Sequence, residues 1–541
     1  MWKGHAAPED GDYCVAEVGE EPPARLIEVL GADDRPEWDD AAVISQFRLP
    51  SHFPSDVEAE AARLGPPTAA DLRGRVDWRE RLVFTIDPED ARDHDDALSW
   101  RRLAPGVHEV GIHIADVSHY VSPGSALDRE ALARGTSCYL PGGVVPMLPE
   151  RLSSNLCSLR PQEDRLALSV IAELDERGGL RGVRFEETVI RSRHRLHYAE
   201  VQAMLEGRPA PDAELQESLG ALQRLARELR ARRWKAGALD LDVPETKAWV
   251  DEHGRPTRIE RRPHLESHEL IEEFMLLANR CVGREGAERG SGMVFRIHEP
   301  PSPPKLVDLD RMLRALALPR LGSLEDPARA LQALLNVRID PPHRRLLHRL
   351  VLRSLTRARY SERDLGHFGL AAYGYCHFTS PIRRYPDLHN HRRVREWLQR
   401  RTSAAWDPHE LAGLAESCTA LEWNAAEAER EAVRVKGLRH LEGRLGEQAS
   451  GIITGLVPQG FFVELDDTPV EGFVRIGSYL DDYFVLDPSG VRLVGRRSRR
   501  RFTLGDAVLV TVARVDVPGR ECDLAIEVAT RRLRRRHRGR D

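Results

Sequence analysis

No stretch of this chain approaches the ~18 consecutive apolar residues of a membrane span, and the Met1 end has neither an apolar core nor a small-residue cleavage site. Secretion and membrane insertion are therefore not expected, and the chain reads as cytoplasmic. Cysteine is sparse: seven residues, scattered, without a CxxC pair. That pattern fits reduced thiols better than a disulfide frame or a structural zinc site. No repeat of solenoid period is present. Lysine is scarce beside arginine, which suits bidentate phosphate recognition but also follows from a GC-rich genome. A net charge of -6 argues against a uniformly basic coat. The basic residues are instead concentrated near the end, in "GRRSRRRF" (495–502) and "TRRLRRRHRGR" (530–540). Such runs serve either as a solvated tail or as a footprint for phosphates.

With 541 residues, of which 41% are hydrophobic, the chain is long enough for two to four domains. Residues 12–30 alternate apolar and polar side chains around prolines, predicting a short β unit. A linker-like, partly helical stretch follows. Strand signals return from Leu82 in "RLVFTID", "HEVGIHIADVSHYV" and "RLALSVIAELD". Leu215, Leu219, Leu222, Leu225 and Leu229 recur at helical spacing. So do Leu270, Ile271, Phe274, Leu277, Ala278 and Cys281, with Glu272 and Glu273 directed to another side. The middle of the chain is thus a large mixed α/β domain. From about Gly446 short alternating strands broken by Gly, Pro and Asp predict a small β barrel of OB type. Phe461, Phe462, Phe473, Tyr483 and Phe484 are its possible base-stacking residues. Strand alternation turns only half of them outward, so about two are expected to contact RNA.

The densest chemistry lies in "TIDPEDARDHDDALSW" (85–100), where six carboxylates fall within the ten positions from Asp87 to Asp96. A solvated acidic loop is the plainest reading, but apolar segments enter and leave the cluster. A calcium loop of EF-hand type needs glycine at its sixth position and an acid at its twelfth. Arg92 and Leu98 stand there instead. The remaining reading is a bed for Mg²⁺ or Mn²⁺ built from Asp87, Asp93, Asp95 and Asp96, because hard cations take carboxylate oxygens and two of them assist phosphodiester cleavage. "HFTSPIRRYPDLHNHR" (377–392) supplies Arg383 as a cation for charge developing at phosphate, whereas Arg384 is expected to pair with Asp387. His264 and His268 in "HLESHE" lack the glutamate of a zinc protease motif. His377, His389 and His391 read as structural, and Cys138 has no neighbouring base to make it a nucleophile.

Seven blocks in order resemble the ribonuclease II/ribonuclease R family of 3′-to-5′ exoribonucleases. They are "RVDWRERLVFTIDPEDARDHDDAL", "GIHIADVSHYV", "TSCYLPGGVVPMLPERLSSNLCSL", "RRWKAGALDLDVPE", "LIEEFMLLAN", "VFRIHE" and "HFTSPIRRYPDL". The resemblance runs from about Arg75 through Leu441 and on into an S1-type domain. It implies an α/β fold with an RNB-type catalytic domain (49–443), an S1 RNA-binding barrel (444–530) and a basic tail (531–541). Residues 1–48 then resemble a truncated cold-shock/OB-like module. The implied activity is hydrolysis of single-stranded RNA from a free 3′ end to nucleoside 5′-monophosphates by a monomer using Mg²⁺ or Mn²⁺. By the same resemblance Asp87, Asp93, Asp95 and Asp96 are metal ligands, with Asp95 the most critical for the chemical step. Arg383 acts at the scissile phosphate. Tyr139 packs on the 3′-terminal nucleotides and influences product length, and Glu429 lies near the 3′ end. The competing readings are a catalytically silent RNA-binding protein on the same scaffold and a DNA nuclease.

Overall fold

The computed structural model describes residues 9–17, 25–241, 245–400, 407–478 and 482–526. The arginine-rich segment 530–540 and the basic tail 531–541 lie outside them. The centre of the molecule is a seven-stranded sheet of order β11-β4-β5-β6-β9-β10-β3. Its strands are β3 (Val76–Asp77), β4 (Val83–Asp87), β5 (Asp96–Ala104), β6 (Val107–Ala115), β9 (Asp164–Asp175), β10 (Leu180–Arg191) and β11 (His194–His197). A short separate hairpin, β7 (Cys138–Leu140) and β8 (Gly143–Val145), interrupts them. β11 runs parallel to β4 and β3 parallel to β10, while the other pairs are antiparallel. In β6 and β9 eight successive residues are buried, because both faces of the sheet are covered. Alternation sends Phe84, Ile86, Leu98, Ile114 and Leu168 to one face, beneath the helices Ala213–Ala236 and Glu266–Arg289. Val83, Ala97, Ala115 and Ala167 go to the other, against Leu127, Leu148 and Leu388.

The three strand segments and both leucine-spaced helices read from the sequence are present. Glu273 departs from expectation. It is buried, and Arg233 holds it at 2.5 Å, so one acid of the pair turns inward against the neighbouring helix. β1 (Asp12–Glu17) and β2 (Arg25–Ala32) pair as an antiparallel hairpin, and helix α1 (Asp39–Gln46) follows.

A closed five-stranded barrel, Gln448–Val457 to Glu521–Ile526, ends the described chain. It is not loosely tethered. Ile453, Phe461 and Val474 share one core with Ala428, Ala432 and Val435 of the long helix Pro408–Glu442. Glu464 of the barrel also receives Arg261 at 2.7 Å and Arg349 at 2.6 Å. No helix among the described residues is long and apolar enough to cross a membrane.

The core holds several histidines as neutral hydrogen-bonding groups. His113 lies between Ser99 Oγ (2.9 Å) and Ser169 Oγ (2.7 Å), His389 bonds Gly292 O (2.9 Å) and His391 bonds Phe378 O (2.7 Å). Burial lowers His113 to about 3 and His389 and His391 to about 4. The same cause brings His268 to about 4 and His367 to about 3. An unfolded chain protonates these rings near pH 6.5, whereas the native state does so only far lower. Stability is therefore lost as pH falls from 6.5 towards 4, by about 1.4 kcal/mol per pH unit for each of the fully buried rings His113, His389 and His391. Calorimetric Tm values should drop steeply between pH 6.5 and 4.5; a flat profile would contradict this burial.

Candidate active site

β4 and β5 pair only at Val83–Ser99 and Phe84–Leu98, then part, and the acidic loop fills the gap between them. Asp87 closes β4 and Asp96 opens β5, so both sit at one edge of the sheet. The loop is bolted down through its backbone. Ser158 Oγ accepts from His94 N (3.0 Å) and donates to Arg92 O (2.8 Å). Leu159 N donates to His94 O (2.9 Å), and Ala115 N to Asp95 O (2.8 Å). Glu89 and Asp90 face solvent, with Asp90 3.2 Å from Lys247 Nζ.

The four aspartates differ in partners. Asp87 is 2.8 Å from His94 Nδ1, and Asp93 accepts from the Tyr139 hydroxyl at 2.8 Å. Asp95 is 5% exposed. Its Oδ1 accepts from Ile382 N at 2.9 Å, and Arg383 Nε stands 3.7 Å from Oδ2. That Oδ2 is buried and has no hydrogen-bond partner among the described residues. Burial raises Asp95 well above the usual carboxylate range, with Arg383 offsetting part of the effect. Asp96 is pushed up to about 8 by burial and then by Asp87.

Arg383 is held by Ser380 Oγ (3.0 Å) and lines the cleft, while Arg384 beside it is paired with Asp387 (2.7 Å), as the sequence suggested. His377 meets the Tyr360 hydroxyl at 2.9 Å and is structural too. The Cys138 thiol is pushed up to about 12 by burial and is no nucleophile. Tyr139 projects from β7, its backbone N–H donating to Glu429 Oε1 at 2.7 Å. A cleft of about 2240 Å³ brings these groups together. The four aspartates, Tyr139, Arg383 and Glu429 line one side, and Phe462, Phe473 and Arg475 of the barrel line another.

Phe461 requires a correction. It is fully buried, with Phe502 at 4.8 Å in the barrel core, so it offers no ring to RNA. Alternation in its strand turns Phe462 outward instead, where it packs on Phe473 at 5.0 Å. Phe484 is core as well, and Tyr483 is exposed beside Arg496 (5.2 Å), outside the cleft lining. Sequence reasoning missed His94 and Ser158, which set the shape of the acidic loop. A histidine among aspartates carries no signal that it pairs with one of them, and Ser158 lies 64 residues from its partner.

Among the described residues no three acidic, histidine or cysteine side chains converge on one point. The donor set nonetheless fits a hard divalent cation. It consists of carboxylate oxygens, among them the buried Asp95 Oδ2 that lacks a hydrogen-bond partner among the described residues, and burial opposes the ionisation of Asp95 and Asp96.

The chain matches the family model for the RNB domain over residues 75–400 and that for the S1 RNA binding domain over 443–527. It belongs to the RNB family. Ribonuclease R of Aquifex aeolicus is 40% identical over 522 residues, covering 94% of this chain and 74% of that protein. Ribonuclease R of Escherichia coli is 35% identical over 540 residues, 95% of this chain and 66% of that protein. Mycoplasma genitalium RNase R, solved in complex with ribose-methylated single-stranded RNA, superposes with a TM-score of 0.88 at 29% identity. The match covers 93% of this chain and 80% of that one. The activity of this RNB protein is that of a hydrolytic 3′-to-5′ exoribonuclease.

Two isosteric substitutions separate the function of these acids from their cost. Asp96 binds a proton in the fold up to about pH 8, although its ordinary value is 3.8. Its contribution to stability therefore falls as pH rises between those values. Without divalent ions, Asp96→Asn should gain Tm relative to wild type on going from pH 5 to pH 8. Asp387→Asn should lose about 3 kcal/mol at either pH by stranding Arg384. Equal Tm values for all three proteins would contradict both assignments.

Proposed function

We propose that Asp87, Asp93, Asp95 and Asp96 hold Mg²⁺ or Mn²⁺, and that the cleft seats single-stranded RNA by its 3′ end for release of nucleoside 5′-monophosphates. The observation that carries this reading is the buried Oδ2 of Asp95, which has no hydrogen-bond partner among the described residues, on the wall of a cleft shared with barrel aromatics. When bound, such a cation supplies Lewis acidity towards the phosphodiester and the attacking water.

The protein's own groups do the rest. Asp95, anchored through Oδ1 to Ile382 N, presents its free oxygen in a fixed direction. Arg383, tied to Ser380, directs a guanidinium to the phosphate oxygens that gain charge in the transition state. Tyr139, 42% exposed, offers a ring to the terminal bases, and Glu429 beneath it accepts from that residue's backbone. Phe462 and Phe473 give further stacking surface upstream. The arginine-rich turn around Arg496–Arg501 adds positive charge on the barrel's outside. The ribose 2′-hydroxyl is the handle by which RNA is told from DNA.

Incubation of 3′-accessible single-stranded RNA with Mg²⁺ should release mononucleotides. Asp95→Asn should bind RNA without releasing them, and Arg383→Ala should lower kcat by about 10²-fold or more with a smaller change in KM. RNA binding without turnover by the wild type would favour the silent scaffold. Equal turnover of a matched DNA strand would remove the preference for RNA.

A further inference from the structure

The hairpin that carries Tyr139 has only three residues in each strand. Two-stranded ribbons are marginal by themselves, so its position is set by its anchors. At the root, Tyr139 N donates to Glu429 of the long helix at 2.7 Å. At the tip, Gly142 N donates to Asp40 Oδ2 at 2.8 Å. Asp40 lies in the first turn of α1, ahead of the segment matched as the RNB domain. The approach is close, since a Cβ at Gly142 would fall 2.5 Å from Asp40 Oδ2.

α1 is itself clamped to that same long helix. Asp39 is fully buried, 3.0 Å from Lys436 Nζ and 2.9 Å from Arg439. The Lys436 ammonium also bonds Pro36 O at 2.7 Å and stands 3.9 Å from Asp40 Oδ1. Glu429 and Lys436 are two helical turns apart, so one face of one helix fixes the hairpin's root directly and its tip through α1. Val43 of α1 packs into the same core as Cys138, Leu140 and Val145.

We propose that Asp40 is a positioning residue for RNA hydrolysis: it pins the tip of the β7–β8 hairpin and thereby keeps Tyr139 in register with Asp93 and the cleft. The proposal rests on the reading above that Tyr139 meets the 3′ end. Only Leu140 and Pro141 separate Tyr139 from Gly142, so slack at the tip reaches the phenol almost undiminished. A misplacement of about 1 Å costs on the order of 10²-fold in rate.

The test uses the full chain with Asp40→Ala, Asp40→Asn, Gly142→Ala, Tyr139→Ala and the Asp40→Ala/Tyr139→Ala pair. Hydrogen–deuterium exchange without RNA reads the hairpin directly. Asp40→Ala and Gly142→Ala should speed exchange over residues 138–145 while residues 408–442 keep wild-type protection. Asp40→Asn still accepts from Gly142 N and should stay close to wild type in exchange and turnover. With RNA, Asp40→Ala should lower kcat by about tenfold with little change in KM. It should also shift the final product length in the same direction as Tyr139→Ala, and the double variant should be no worse than Tyr139→Ala alone. Unchanged exchange in Asp40→Ala, or effects that multiply in the double variant, would overturn the proposal. A loosened hairpin with product length unaltered in Tyr139→Ala would overturn the role of Tyr139 and leave the pin standing.

Discussion

Carboxylates buried side by side are costly twice, once for the water they lose and once for their mutual repulsion. Asp95 and Asp96 incur both costs at the edge of the central sheet. Much of the surrounding structure serves to hold them there. The parting of β4 and β5 opens the gap, Ser158 and Leu159 fasten the loop, and Ile382 fixes one oxygen of Asp95. Arg383, 3.7 Å away, neutralises only part of the charge. A fold that maximised its stability would place a neutral pair here. The deficit is intelligible as a site completed from outside, by a cation and then by phosphate.

The cleft around these acids is a joint product of separate stretches of chain. The central sheet supplies the acids, the β7–β8 hairpin supplies Tyr139 and the barrel supplies Phe462 and Phe473. The long helix Pro408–Glu442 is the common support, since it shares a core with the barrel and with α1 and presents Glu429 to the hairpin. The acids, the hairpin and the barrel aromatics are thus held around one cleft by shared packing. Charges at the joins, such as Glu464 with Arg261 and Arg349, lock the barrel against the body.

Local pattern made much of this legible. Strand signals located β4, which ends at Asp87, and leucine spacing located the helices that cover the sheet, whereas β5, which opens at Asp96, showed only as an apolar segment leaving the cluster. The cluster of acids was visible because so many like charges in so few positions is improbable for a loop entered by apolar strands. The pairing of Arg384 with Asp387 was expected and is present. What stayed hidden depends on distant contacts. Phe461 and Phe462 are adjacent in sequence, and only the register of the closed barrel decides which one faces inward. Glu273 reads as a surface acid until the neighbouring helix brings Arg233 to it. His94, Ser158 and Asp40 act through partners that no local spacing reveals.

The central claim is that the buried charge deficit at Asp95 and Asp96 is a cation site. Calorimetric titration of Mn²⁺ into the protein at pH 7, in two buffers of different protonation enthalpy, tests it most directly. Binding should be accompanied by proton release, because a cation displaces the proton that burial retains on Asp96, and both heat and release should vanish in Asp95→Asn. Mn²⁺ binding that releases no proton and survives Asp95→Asn would contradict the claim.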